Sequence, residues 1–157
     1  MVYTAGMAIT DLQDSINWLL IRSSLIAKQR LMKISEQHDL SPMQALTLCL
    51  LEPGDMVPMS MISDLLACDA SNVTGIVERL SVGDYIERRE LKSDRRVKTI
   101  SLTPTGNALR KELVNGIVEN GAENLEALTP HESELLKGML RKLLPVSHSK
   151  HFQPTAQ

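Results

Sequence analysis

The sequence predicts a mainly α fold with a small β hairpin, and three observations carry that expectation. Apolar residues recur at helical spacing through most of the chain. Ser-Pro and Thr-Pro pairs stand where new helices would begin, and the stretch from Tyr85 to Leu102 changes to strand-like content. A length of 157 residues fits one compact domain, 1–157, with extensions at both ends.

Residues 1–9 read as a loose leader. From Thr10 to Gln37 there is no Gly or Pro, so the spacing predicts a single helix, about 40 Å long at 1.5 Å per residue. Its apolar residues Leu12, Ile16, Leu19, Leu20, Ile26, Leu31 and Ile34 lie on more than one face. A small domain covers one such face, so part of this helix is expected to pack against another subunit; the plainer alternative is a core helix within one chain. Ser41-Pro42-Met43-Gln44 is a capping box with Pro at the first helical position. The helix that follows, Met43 to Leu51, is apolar almost all round and should be buried. Glu52 to Asp55 ends it, and Pro58 imposes extended backbone before the next helix.

Two short helices come next. Met61, Ile62, Leu65 and Leu66 form the stripe of the first, between Ser60 and Ala67, and Cys68-Asp69-Ala70 interrupts it. In the second, Asp69 suits an N-cap whose carboxylate accepts the free amides of Ser71 or Asn72. Val73, Ile76, Val77 and Leu80 then make an inward stripe. The outward face carries Ser71, Asn72, Thr74, Gly75, Glu78 and Arg79, which are short near the N-terminus, so another surface can approach the backbone closely. Two strands are expected at Tyr85–Glu90 and Val97–Leu102, with Ile86, Ile100 and Leu102 facing inward and a polar loop from Leu91 to Arg96 between them.

Thr103-Pro104 opens a further helix with Leu109, Leu113 and Ile117 on its stripe. Gly116 and Gly121 weaken its middle by about 1 kcal/mol each relative to Ala, which predicts a bend or the close passage of a neighbour. Thr129-Pro130-His131-Glu132 is a second capping box, starting a last helix with Leu135, Leu136, Met139, Leu140, Leu143 and Leu144 and ending at Pro145. The polar tail from His148 to Gln157 is expected to fray.

Charge narrows the function. The chain is net −2, yet Tyr85 to Lys98 holds six cations (Arg88, Arg89, Lys92, Arg95, Arg96, Lys98) against three acids (Glu87, Glu90, Asp94). A local basic hairpin in an acidic chain fits one polyanion-facing surface and not a coat of positive charge. One Phe, one Trp and two Tyr leave an aliphatic core with Met as filler, and too few aromatics to stack single-stranded bases. No apolar run reaches the roughly 20 residues that span a bilayer, and the N-terminus lacks the pattern of a signal peptide, so a cytoplasmic location is expected. Glycine loops for phosphate, nucleophile elbows and clustered metal ligands are absent from the sequence, so neither an enzyme nor a cofactor is expected. Cys49 and Cys68 make no metal spacing with His38, His131, His148 or His151, and both thiols are expected to stay reduced.

Helix, turn, helix and basic hairpin in that order resemble a winged helix-turn-helix. Asp94-Arg95-Arg96, five residues, then Leu102-Thr103 matches the D-x-R-x5-L-T wing signature of the MarR-type (multiple antibiotic resistance) transcriptional regulators, and Asp69-Ala-Ser-Asn-Val-Thr-Gly75 looks like their recognition helix. The chain departs from that family in having Gly83 one position early, with Asp84-Tyr85 where Gly and a Leu-type residue are usual. Asp tolerates the left-handed conformation that this turn requires.

The resemblance implies a winged lobe at about 38–103, and dimerisation helices at about 10–37 and 104–145 that interleave with those of a second chain. It implies a homodimer on a near-palindromic duplex, probed by Ser71, Asn72, Thr74, Gly75 and Arg79 in the major groove. Arg88, Lys92, Asp94, Arg95, Arg96 and Lys98 would serve the wing. Arg96 would enter the minor groove, held by Asp94 through a charge-assisted bond. It implies further a repressor released by a small aromatic or anionic effector, for which Trp18 and Arg22, four residues apart, are the candidates. Two alternatives stay open: a winged helix used for protein contact alone, and a redox regulator acting through Cys49 or Cys68.

Overall fold

A computed structural model describes residues 9–91 and 94–144 of the chain. The leader, Lys92, and the tail from Pro145, with His148 and His151, lie outside the described residues. The order of elements is α1 (Ile9–Gln13), α2 (Ile16–Glu36), α3 (Pro42–Leu50), β1 (Val57–Pro58), α4 (Met59–Leu66), α5 (Ala70–Val82), β2 (Ile86–Leu91), β3 (Asp94–Leu102), α6 (Pro104–Leu125) and α7 (Pro130–Leu143).

The continuous helix expected from Thr10 to Gln37 is broken in two. Ser15 adopts extended backbone (φ −72°, ψ 140°), and its Oγ accepts the amide of Trp18 at 3.2 Å while donating to the carbonyl of Leu12 at 2.7 Å. A serine that satisfies the free amides of a new helix competes with continuation of the old one. At the other end, Asp39 takes a left-handed φ of 55°, and the Leu40 amide donates back to the Ser35 carbonyl, which turns the chain into α3.

Both capping boxes form. Ser41 and Gln44 exchange bonds of 3.3 and 2.7 Å at the start of α3, and Thr129 and Glu132 do so at 3.3 and 2.8 Å at the start of α7. α3 supplies the centre of the core, where Ala45, Leu48 and Leu51 are fully buried. Ile62 of α4, Val73, Val77 and Leu80 of α5, Ile86 and Ile100 of the sheet, and Leu109 and Leu113 of α6 close around them. Ile76 of the expected stripe is half-buried against this core.

The hairpin has a third strand. β1 pairs antiparallel with β3, Val57 opposite Ile100, giving the order β1-β3-β2. β3 begins at Asp94, three residues before the expected strand, and β2 and β3 keep Ile86 opposite Leu102 and Arg88 opposite Ile100 before an irregularity between Glu90 and Leu91.

Two glycines mark close crossings. A Cβ on Gly116 of α6 would stand 3.2 Å from Ile34 Cγ2, so the weak middle of that helix is where α2 passes closely. A Cβ on Gly106 would stand 1.8 Å from the Tyr85 carbonyl oxygen, which no side chain can meet. Among the described residues no side chain of α7 is fully buried, and Leu135, Met139, Leu143 and Leu144 are exposed, as are Ile16, Leu19, Ile21 and Leu25 of α2.

Gly106→Ala is therefore expected to cost at least about 2 kcal/mol of unfolding free energy through displaced backbone. Gly75→Ala, whose Cβ meets nothing within 4 Å, should instead gain about 0.5–1 kcal/mol from helix propensity. Urea denaturation of both variants checks the pair, and equal midpoints would remove the crossing at Gly106 as a constraint.

Candidate nucleic-acid interface

α4 and α5 meet at a turn where Ala67 is left-handed (φ 47°) and donates back to the Asp64 carbonyl, while the Cys68 amide donates to that of Ser63. Asp69 occupies the N-cap of α5 with φ −67° and ψ 151°, as expected, but its carboxylate makes no capping bond. The expected hydrogen bond to Ser71 or Asn72 is thus corrected to a charge at the positive end of the helix dipole. With Val73, Val77 and Leu80 buried, Ser71, Asn72, Thr74, Gly75, Glu78 and Arg79 are all exposed on the opposite face. The hydroxyl of Thr74 donates to the Ala70 carbonyl at 2.9 Å.

The wing is positioned from this helix. Asp84, with φ 57°, takes the left-handed turn expected of it, and the Tyr85 amide donates to the Leu80 carbonyl at 3.0 Å. Arg88 Nε donates to Ser81 Oγ at 3.3 Å, a tie between β2 and the last turn of α5.

Three of the wing's cations are answered by its own acids. Arg89 meets Glu87 at 2.6 Å and Lys98 meets Glu90 across the ladder at 2.5 Å. Arg96 Nε lies 3.2 Å from Asp94 Oδ1, its Nη2 lies 3.4 Å from Oδ2, and the Arg96 amide also donates to Oδ1 at 3.0 Å. The Arg96 side chain is nonetheless 91% exposed, so Asp94 holds the guanidinium at its base while leaving it open to a partner. Arg95 is exposed and has no intramolecular partner among the described residues. Lys92 lies outside them. Ser81 and Glu90 are site residues that sequence reasoning missed, because their partners are set by the angle between α5 and β2 and by strand register; Glu87, missed as well, has its partner two residues along the same strand.

Hydrogen bonds from the side chain and then the backbone of Arg96 hold the Asp94 carboxyl below the ordinary carboxylate range. Because the folded value is lowered, the support of this pair is fully present above the unfolded carboxylate value and is lost as pH falls through the lowered one.

The candidate effector pair is less convergent. Trp18 is half-buried and Arg22 exposed on α2. An open groove of about 640 Å³ lies elsewhere, at the turn, lined by Ser63, Asp64, Ala67, Cys68, Asp69 and Asn72. Cys49 is half-buried on α3; burial pushes its thiol up, with Arg110 of α6 opposing, so the thiolate is disfavoured.

No protein-family model matches the chain. It is 28% identical over 137 residues to an uncharacterized HTH-type transcriptional regulator, YsmB, of Bacillus subtilis, covering 86% of this chain and 90% of that one. A crystal structure of a probable transcriptional regulator from Pseudomonas aeruginosa superposes with TM-score 0.70 at 29% identity, covering 85% and 99% of the two chains. The fold is also that of apo MarR from E. coli, at TM-score 0.72 and 21% identity over 83% of this chain and 98% of that one. The chain has the fold of the MarR-type winged helix-turn-helix proteins and resembles HTH-type transcriptional regulators in sequence. Gly83 and Asp84 depart from the wording usual in the MarR-type family that the chain resembles, and the Asp84 carbonyl accepts the Thr103 hydroxyl at 2.6 Å, which ties the altered turn to the wing's closing Leu-Thr pair.

Carbon-detected NMR titration should place the Asp94 carboxyl midpoint below that of an unpaired aspartate, and Arg96→Ala should return it upward to the ordinary range. An ordinary midpoint in the unaltered protein would mean that the pair does not persist in solution.

Proposed function

We propose that this regulator binds duplex DNA as a homodimer, α5 of each chain entering the major groove and the wing following the neighbouring minor groove. The observation that carries the reading is the juxtaposition of a short-residue helix face with an outward guanidinium, Arg96, fastened at its base by Asp94. Ser71, Asn72 and Thr74 meet base edges or phosphates, Gly75 permits close approach, and Arg79 reaches phosphate or guanine. Arg95 and Lys92 supply wing charge, Arg96 enters the minor groove, and Arg88 and Lys98 shape the ribbon that carries them.

In this proposal residues 38–103 form the DNA-binding lobe, and residues 10–37 and 104–145 form the dimerisation helices. Support for pairing is the surplus of apolar side chains on α2 and α7, more than a monomer ordinarily leaves in water. A two-fold pair reads half-sites about 34 Å apart, hence a near-palindromic operator, and occupancy there represses transcription. A small aromatic or anionic effector meeting Trp18 and Arg22 releases the DNA. The protein acts without catalysis and in the cytoplasm; among the described residues no helix is long and apolar enough to cross a membrane.

Selection of bound duplexes from a random pool should enrich an inverted repeat, and Arg96→Ala should weaken its binding about tenfold and lower the slope of log affinity against log salt by about 1. Absence of any enriched duplex would favour a protein-contact role for the winged helix. Paired Leu135→Asp and Met139→Asp changes should convert a dimer to a helical monomer in sedimentation, since each anchor contributes on the order of 2 kcal/mol; an unchanged dimer would remove α7 from the interface.

A further inference from the structure

We propose that Thr74 reads the C5 methyl of a thymine, making the operator's central preference at that step an apolar one. This rests on the major-groove reading of α5 above. A threonine on an exposed helix face is ordinarily counted as a hydrogen-bonding residue, but here its single hydroxyl proton is already given to the Ala70 carbonyl at 2.9 Å. The base acceptors of the groove therefore receive nothing from it.

The hydroxyl oxygen can still accept, and the apolar group that this exposed side chain offers a partner is the Cγ2 methyl. Ala70, also exposed, precedes it by four residues, so the two methyl groups share one stripe of the helix. Gly75, next in the chain, has no Cβ, and one built there would meet nothing within 4 Å, so nothing holds a partner away from this stripe.

Ser71 and Asn72 differ in kind. Their side chains are exposed and make no hydrogen bond among the described residues, so each keeps both donors and acceptors for polar base edges. The major groove offers one apolar feature, the thymine methyl, and it is the complement of the Thr74 stripe. The helix face thus divides into a polar reader, Ser71 and Asn72, and an apolar reader, Thr74 backed by Ala70.

The test replaces each thymine of the selected duplex in turn by deoxyuridine, which keeps the base pair and removes the methyl, and measures binding by the unaltered protein, Thr74→Ser and Thr74→Val. At one thymine per half-site the unaltered protein should bind the deoxyuridine duplex about three- to tenfold more weakly, the scale expected for one buried methyl. Thr74→Val, which keeps the methyl, should keep that discrimination. Thr74→Ser should bind both duplexes alike, at the weaker affinity.

A flat deoxyuridine scan on an enriched duplex, or discrimination that survives in Thr74→Ser, overturns the assignment and leaves DNA binding intact. Loss of affinity in Thr74→Val with none in Thr74→Ser assigns the contact to the hydroxyl as an acceptor and overturns it equally. If no duplex is enriched, the DNA-binding reading and this one fall together.

Discussion

The geometry of the winged lobe depends on one crossing, where the first turn of α6 passes the turn between α5 and β2. Thr103 makes three bonds there: its hydroxyl donates to the Asp84 carbonyl, its oxygen accepts the Gly106 amide, and its own amide donates to the Tyr85 carbonyl. Gly106 lets the two backbones come within a distance that any Cβ would prevent. Since β3 runs straight into Thr103, the same residue closes the wing, caps α6 and fixes the exit from α5. The angle between α5 and the wing is thereby held by directional hydrogen bonds, two through the Thr103 hydroxyl and one between backbones, in addition to the packing of α5 on the sheet.

Electrostatics at the site is set within the hairpin itself. Counting residues gives the wing a surplus of three positive charges. Glu87 and Glu90 each engage a cation on the ribbon itself, and exposed pairs of this kind contribute little to stability. Their effect is to hold long side chains along the strands. Asp94 acts differently, because its bonds reach both the backbone and the side chain of Arg96 and so orient a guanidinium that stays in water. The charge offered to a partner is concentrated at the tip, on Arg95 and Arg96, and on Arg79 of the helix.

Much of this fold was legible beforehand because its signals are local. Capping boxes at Ser41 and Thr129, the inward stripe of α5 and the left-handed turn at Asp84 each depend on residues within seven positions of one another. The break at Ser15 was local too, yet it was hidden by a run free of Gly and Pro, where one serine hydroxyl decided the outcome. β1 escaped notice because a two-residue strand has no period, and it exists only where β3 offers it an edge.

By itself, then, the sequence determined the order of helices, the inward faces, the two-part motif and the residues available at the helix face and the wing tip, since propensity, capping and periodicity act over a few residues. Tertiary structure alone decided that Glu90 answers Lys98 across the ladder, that Ser81 ties Arg88 to α5, and that no side chain of α7 is fully buried among the described residues. Those outcomes depend on register and on the angles between elements, which are set by contacts between residues far apart in the chain.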